Sequence, residues 1–161
     1  MDKTKKQHWL ALFVLIFATL GASSFGALAT FSRLATWYPT LVKPAWNPPT
    51  AIFGPVWITL YVLMAIAAWL VWRRGSEGDV IPAMTAYFGQ LVLNVIWPLV
   101  FFGLEAPGWA VLDILILWAA IIVAMAQFGR VSRLAAWLLV PYLVWVTFAS
   151  ALNITIWRIN A

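Results

Sequence analysis

Gln90, Asn94, Trp97 and Phe101 recur at steps of four, three and four residues, which places all four on one face of a helix. Two amides and an indole sharing a face can hold the polar edge of an aromatic molecule. Uncharged amides still need hydrogen-bond partners in hydrocarbon, so this face should turn toward other helices or a cavity. Trp57, Tyr61 and Met64 align similarly earlier in the chain, and Trp145, Ala149, Leu152 and Asn153 align near its end. Three such stripes could wall one aromatic pocket, or they could pack helices together; the spacing alone leaves both readings open.

Most other chemistries are excluded by what the chain lacks. It has no cysteine, which removes disulfides, thiolate nucleophiles, iron–sulfur clusters and cysteine zinc sites. His8 is the only histidine and stands at the edge of an apolar run, a poor position for permanent haem ligation. No Ser–His–Asp arrangement or metal-ligand spacing occurs, so no metal site and no resident cofactor is expected. Asp113 is the one acid well inside an apolar run, about one turn from its start. A carboxylate costs roughly 2.5 to 3.5 kcal/mol at mid-bilayer and less near an interface, so a packing or interfacial role outweighs a proton relay. Glu105 falls in the turn 103–108 and reads as solvated.

The elements that carry these residues are membrane helices. The chain has 161 residues, of which 65% are hydrophobic and 9% charged, against about 25% charged in soluble domains. Its mean hydropathy is +0.93. Long apolar runs cover residues 9–31, 51–72, 80–104, 107–128 and 134–157, giving a single all-α domain over 1–161, a five-helix transmembrane bundle. Residues 32–50 form the one long connection, the natural lid. The first run follows Lys3, Lys5, Lys6 and His8, as a signal peptide would. It is longer than an h-region of about 7 to 15 residues, and its Gly21, Ala22, Ser23, Ser24, Gly26 and Ala27 suit close helix packing, so it is read as a retained span.

Pro55, Pro82 and Pro107 fall in or near helix first turns, whereas Pro98 and Pro141 lie inside apolar runs and free the carbonyls of Asn94 and Trp137. The net charge of +5 does not point to nucleic acid, because the basic residues stand at the edges of apolar runs. Lys3, Lys5, Lys6, Arg73, Arg74, Arg130 and Arg133 fall on the N-terminal side, against Arg33, Lys43 and Arg158 on the other, which predicts a cytoplasmic N-terminus. Of the twelve tryptophans, Trp9, Trp69, Trp72, Trp109 and Trp157 sit where interfacial girdle residues belong.

At the remaining positions the chain resembles the translocator protein family, also called tryptophan-rich sensory proteins. The loop from Trp37 to Pro49 is similar to W-Y-x-x-L-x-K-P-x-W-x-P-P, and Trp57 to Tyr61 resembles W-x-x-L-Y. Gln90, Leu91, Asn94, Trp97 and Phe101-Phe102-Gly103 follow Q-L-x-x-N-x-x-W and F-F-G; Pro141, Tyr142, Trp145, Leu152 and Asn153 follow P-Y-x-x-W and L-N.

The resemblance implies an integral membrane protein, commonly a homodimer, whose pocket under the first loop receives porphyrins, sterols, other lipids or synthetic ligands of benzodiazepine type. It assigns to the pocket Tyr38, Trp46, Pro49, Trp57, Gln90, Asn94, Trp145 and Ala149, beside Trp97 from the amide-bearing face. It further implies tetrapyrrole sensing in a bacterial cell envelope, with light-dependent protoporphyrin breakdown at Trp57 and Trp145 as the enzymatic alternative. Animal members carry a cholesterol motif at the end of the fifth span; residues 152–158 lack its tyrosine, so porphyrin is expected over sterol.

Overall fold

A segment that must satisfy every backbone N–H and C=O inside a bilayer does so as a helix. The computed structural model describes residues 5–161, apart from the side chains of Lys5, Ser23 and Ala29. The topology signals read at Lys3 and Lys5 and the packing role read at Ser23 lie outside what is described. Among the described residues there are helices and no strand.

In chain order the helices are α1 (Lys5–Thr36), α2 (Phe53–Arg74), α3 (Glu77–Pro98), α4 (Pro107–Val131), α5 (Arg133–Leu138) and α6 (Val140–Asn160). They supply five stretches long and apolar enough to cross a membrane, α5 and α6 together forming the fifth. The chain is an all-α, multi-pass membrane protein.

Three boundaries correct the sequence reading. Helix α1 continues to Thr36, so the first connection begins at Trp37 and not at Ser32. From Ala27 onward no Gly or Pro interrupts the chain until Pro39, and the Thr36 hydroxyl donates back to Ser32 O at 2.8 Å. Helix α3 starts at Glu77, where Glu77 and Asp79 favour the positive end of the helix dipole, and this leaves Pro82 inside the helix beyond its first turn. At the fifth span the backbone breaks at Leu139 in place of an unbroken helix, and Pro141 sits in the first turn of α6, where its missing N–H costs little.

Pro98 has the larger effect. It ends α3 and is followed by a π-helical turn, Leu99–Gly103, closed by Leu104 N–H donating to Leu99 O at 2.9 Å.

The core follows helical spacing. On α4, Ile114, Leu117, Ile121, Ala124 and Phe128 step by three, four, three and four and are all buried, one apolar stripe turned into the bundle. Ala65, Ala67 and Ala68 of α2 are fully buried and allow close helix approach. Polar bonds fix the register. The Tyr87 hydroxyl of α3 pairs with Thr19 of α1, whose own hydroxyl donates to Leu15 O at 2.6 Å. Gly26 lets α1 meet α3, since a Cβ there would lie 2.9 Å from Pro98 Cγ.

Candidate functional site

Beneath the first connection, α1, α2, α3, the π turn and α6 enclose a cavity of about 450 Å³, within the range of drug-sized ligand sites. Gly26, Ala27, Thr30 and Leu34 form its α1 wall, Trp57 and Tyr61 its α2 wall, and Ala149, Leu152 and Asn153 its α6 wall. Asn94 and Trp97 face it from α3, with Phe101 and Phe102 from the π turn. Tyr38 covers it from the loop. None of the lining residues is charged.

Aromatic rings support one another around the space. Trp57 stacks on Tyr61 at 5.6 Å between centroids, and Trp97 stacks on Phe101 at 5.2 Å. Trp97 also donates its indole N–H to Asn153 Oδ1 at 2.9 Å, while Asn153 Nδ2 donates to Pro107 O at 2.9 Å. Those two bonds tie α3, α6 and α4 together.

From the floor at Tyr61 and Asn94 a chain of neutral hydrogen bonds runs on into the bundle. Tyr61 OH donates to Asn94 Oδ1, Asn94 Nδ2 donates to Tyr142 OH at 2.8 Å, and Tyr142 OH donates to Gln90 Oε1 at 2.8 Å. Gln90 Nε2 ends the chain at Met64 Sδ, 3.8 Å away. An amide nitrogen carries two hydrogens, so each of Asn94 and Asn153 retains one N–H beyond these bonds.

The loop over the cavity is internally braced. Tyr38 OH donates to Asn47 Oδ1 at 2.8 Å, and burial raises the phenol above its ordinary pKa, an effect the Asn47 bond partly offsets. Lys43 Nζ donates to Tyr38 O and Leu41 O at 2.8 and 2.7 Å and lies 4.9 Å from the Tyr38 ring centre. Its donors are spent on folding the loop. Asn160, at the end of α6, accepts from Val42 N–H and donates back to Val42 O, both at 2.9 Å. On the same side, Arg33 pairs with Glu105 at 3.2 Å.

Of the nine residues assigned to the pocket from the sequence, Tyr38, Trp57, Asn94, Trp97 and Ala149 meet at the cavity. Four do not. Gln90 is buried one turn beyond Asn94, held by Tyr142 and Met64. Trp145 packs against Phe53 and Phe148, its indole N–H buried without a hydrogen-bond partner. Trp46 is exposed and meets Phe148 edge-on at 5.8 Å. Pro49 is exposed and precedes the short turn Thr50–Ile52 that starts the second span. The α1 wall was missed; its only signal was the run of small residues, which equally well marks plain helix packing.

Asp113 is 8% exposed on α4, with Oδ2 unpartnered, and lies outside the cavity. Among the described residues no group of three His, Cys, Asp or Glu side chains could hold a metal ion.

A sequence model of the TspO/MBR family matches residues 12–158, which takes in every wall of this cavity. The chain belongs to the TspO/MBR family. It is 41% identical to the tryptophan-rich protein TspO of Chlorobaculum tepidum, over 94% of this chain and 96% of that one. It is 44% identical to the translocator protein of Homo sapiens, over 77% and 75% of the two chains. With the tryptophan-rich sensory protein of Cereibacter sphaeroides it shares 36% identity over 93% and 92%. The cavity of this TspO/MBR protein is thus framed by residues within the span that the family model matches.

Proposed function

We propose that this protein is a membrane receptor for tetrapyrroles, protoporphyrin IX foremost, and for other flat hydrophobic aromatic ligands. The observation that carries this reading is the uncharged, ring-lined cavity with amide N–H groups left over at Asn94 and Asn153. A tetrapyrrole of about 40 heavy atoms at roughly −0.3 kcal/mol each has ample binding energy for micromolar affinity after ordering losses. With no cation on the walls, its carboxylates would stay at the mouth and its ring system would enter. The sensory and translocator names of the relatives support a receptor or carrier role. The cluster Lys6, Arg73, Arg74, Arg130 and Arg133 at one end supports a cytoplasmic N-terminus.

The test is quenching of tryptophan fluorescence by protoporphyrin IX in the dark. Saturable quenching that weakens in Trp57→Phe and in Asn94→Ala supports the reading; quenching that never saturates, or that both variants leave unchanged, removes it.

A second reading, light-dependent oxidation of bound protoporphyrin, is favoured by the Trp57 indole at the cavity wall. There an electron-rich ring would lie against an excited porphyrin, and proximity would supply the catalysis. Loss of porphyrin absorbance under light and air, abolished in Trp57→Phe at porphyrin concentrations that saturate both proteins in the dark, would promote it. Equal rates in wild type and variant would sink it.

A further inference from the structure

A second concavity lies at the opposite end of the bundle. It is a groove of about 440 Å³ between α1 and α3, lined by Leu10, Val14 and Leu15 of α1 and by Met84 and Phe88 of α3, with Trp72 of α2 beside them. Along α1 it runs from Gln7 to Leu15, about 12 Å at 1.5 Å per residue, less than half of a hydrocarbon core about 30 Å thick. The groove therefore belongs to one leaflet. Leu10, Val14 and Phe88 are exposed, so it opens outward to the bilayer and not into the bundle.

The end of the groove near Gln7 and Trp72 is basic and aromatic. Lys6 adjoins it on α1, and Arg73 and Arg74 follow Trp72 on α2, all three exposed. The Arg73 guanidinium lies 4.5 Å from the Trp69 ring centre, and Arg74 donates to the Ser132 hydroxyl at 3.3 Å. Among the described residues none of these cations is paired with a carboxylate. Among the described residues the acids of this end are Glu77 and Asp79 in the first turn of α3, and Asp79 already accepts the Ser76 hydroxyl at 2.7 Å. The indoles hold the geometry: Trp69 donates to His8 O at 2.8 Å, Trp9 stacks on Trp69, and His8 meets Trp72 edge-on.

We propose that this groove is a binding site for one anionic phospholipid of the leaflet on the N-terminal side, its acyl chain between α1 and α3 and its phosphate at Lys6, Arg73 and Arg74. A groove one leaflet deep, open to hydrocarbon and with exposed cations near one end that no described carboxylate pairs, matches a lipid in both polarity and length. The site is separate from the cavity under the first loop and does not depend on what that cavity binds.

The experiment is native mass spectrometry of the full chain, delipidated and offered equal amounts of dioleoylphosphatidylglycerol and dioleoylphosphatidylcholine. Wild type is expected to retain the anionic lipid preferentially, and Arg73→Gln to cut that preference roughly fivefold. Met84→Trp fills the groove and should lower retention of both lipids; its fold is checked by its far-ultraviolet circular dichroism. Glycerol 3-phosphate, which has the charge but no chain, should not compete. Equal retention of the two lipids by wild type overturns the proposal, as does retention that neither variant changes. Competition by glycerol 3-phosphate would reveal a simple anion site, and a dimer that excludes lipid would assign the groove to a second copy; either result also overturns it.

Discussion

Asn94 and Tyr142 meet at 2.8 Å, amide nitrogen to phenol oxygen, and this bond joins the cavity floor to a residue the cavity does not touch. Tyr142 is 1% exposed and uses its one oxygen twice, accepting from Asn94 and donating to Gln90. Both amides thus share a single hydroxyl.

Tyr142→Phe should accordingly cost more than an ordinary hydroxyl deletion. It strands a donor on Asn94 and an acceptor on Gln90, each worth about 1 to 3 kcal/mol when buried without a partner. Tyr87→Phe leaves Thr19 still bonded to Leu15 O and should cost about 0.6 kcal/mol, the usual size of a hydrogen bond between membrane helices. Thermal unfolding in one detergent, with both variants side by side, checks the order. Equal losses would mean that the relay does not act as a unit.

Gly26→Ala should destabilise by about 1 to 3 kcal/mol, because the added methyl would lie 2.9 Å from the rigid Pro98 ring and push α1 away from the cavity wall. Gly21→Ala, with nothing within 4 Å of the new methyl, is the control and should be neutral or slightly stabilising. Denaturation midpoints of the pair decide the matter.

Asn160→Ala removes both bonds to Val42 and releases the loop from the end of α6. If the loop covers a bound ligand, dissociation should speed up roughly tenfold, the size of about 1.4 kcal/mol, with little change in unfolding temperature. Stopped-flow release of protoporphyrin IX gives the rate. An unchanged rate would mean that the loop does not gate the cavity.

Protoporphyrin IX dimethyl ester should bind within about threefold of the free acid, less than 1.4 kcal/mol, because no wall residue offers a carboxylate a counter-charge. Parallel dark titrations measure the ratio. A hundredfold preference for the acid would place a cation in contact with the ligand.

Five apolar runs are visible in the sequence because a bilayer demands long, nearly uncharged segments, and the helices observed begin and end within a few residues of them, α1 excepted. That helix overran its apolar stretch because nothing in residues 32–36 breaks a helix. The amide-bearing stripe was legible as a face, since spacing fixes which side chains share a side. How far each reaches was not legible. Gln90 and Asn94 are one turn apart on the same face, yet Tyr142 from α6 stands over Gln90 and separates it from the space that Asn94 borders. Trp145 shares its stripe with Ala149 but is turned toward Phe53, a contact set by tertiary packing that no local pattern encodes.

The turn after Pro98 has one more implication. A π turn fits an extra residue into the helical path, and each residue rotates an α-helix by about 100°. Phe101 and Phe102 are neighbours that both border the cavity, with their ring centroids 4.8 Å apart. Shortening this turn by one residue would leave span number, composition and hydropathy almost untouched while swinging one phenyl ring out toward lipid. Among relatives, then, a length difference at this single turn would alter the shape of the cavity without leaving any trace in a hydropathy profile.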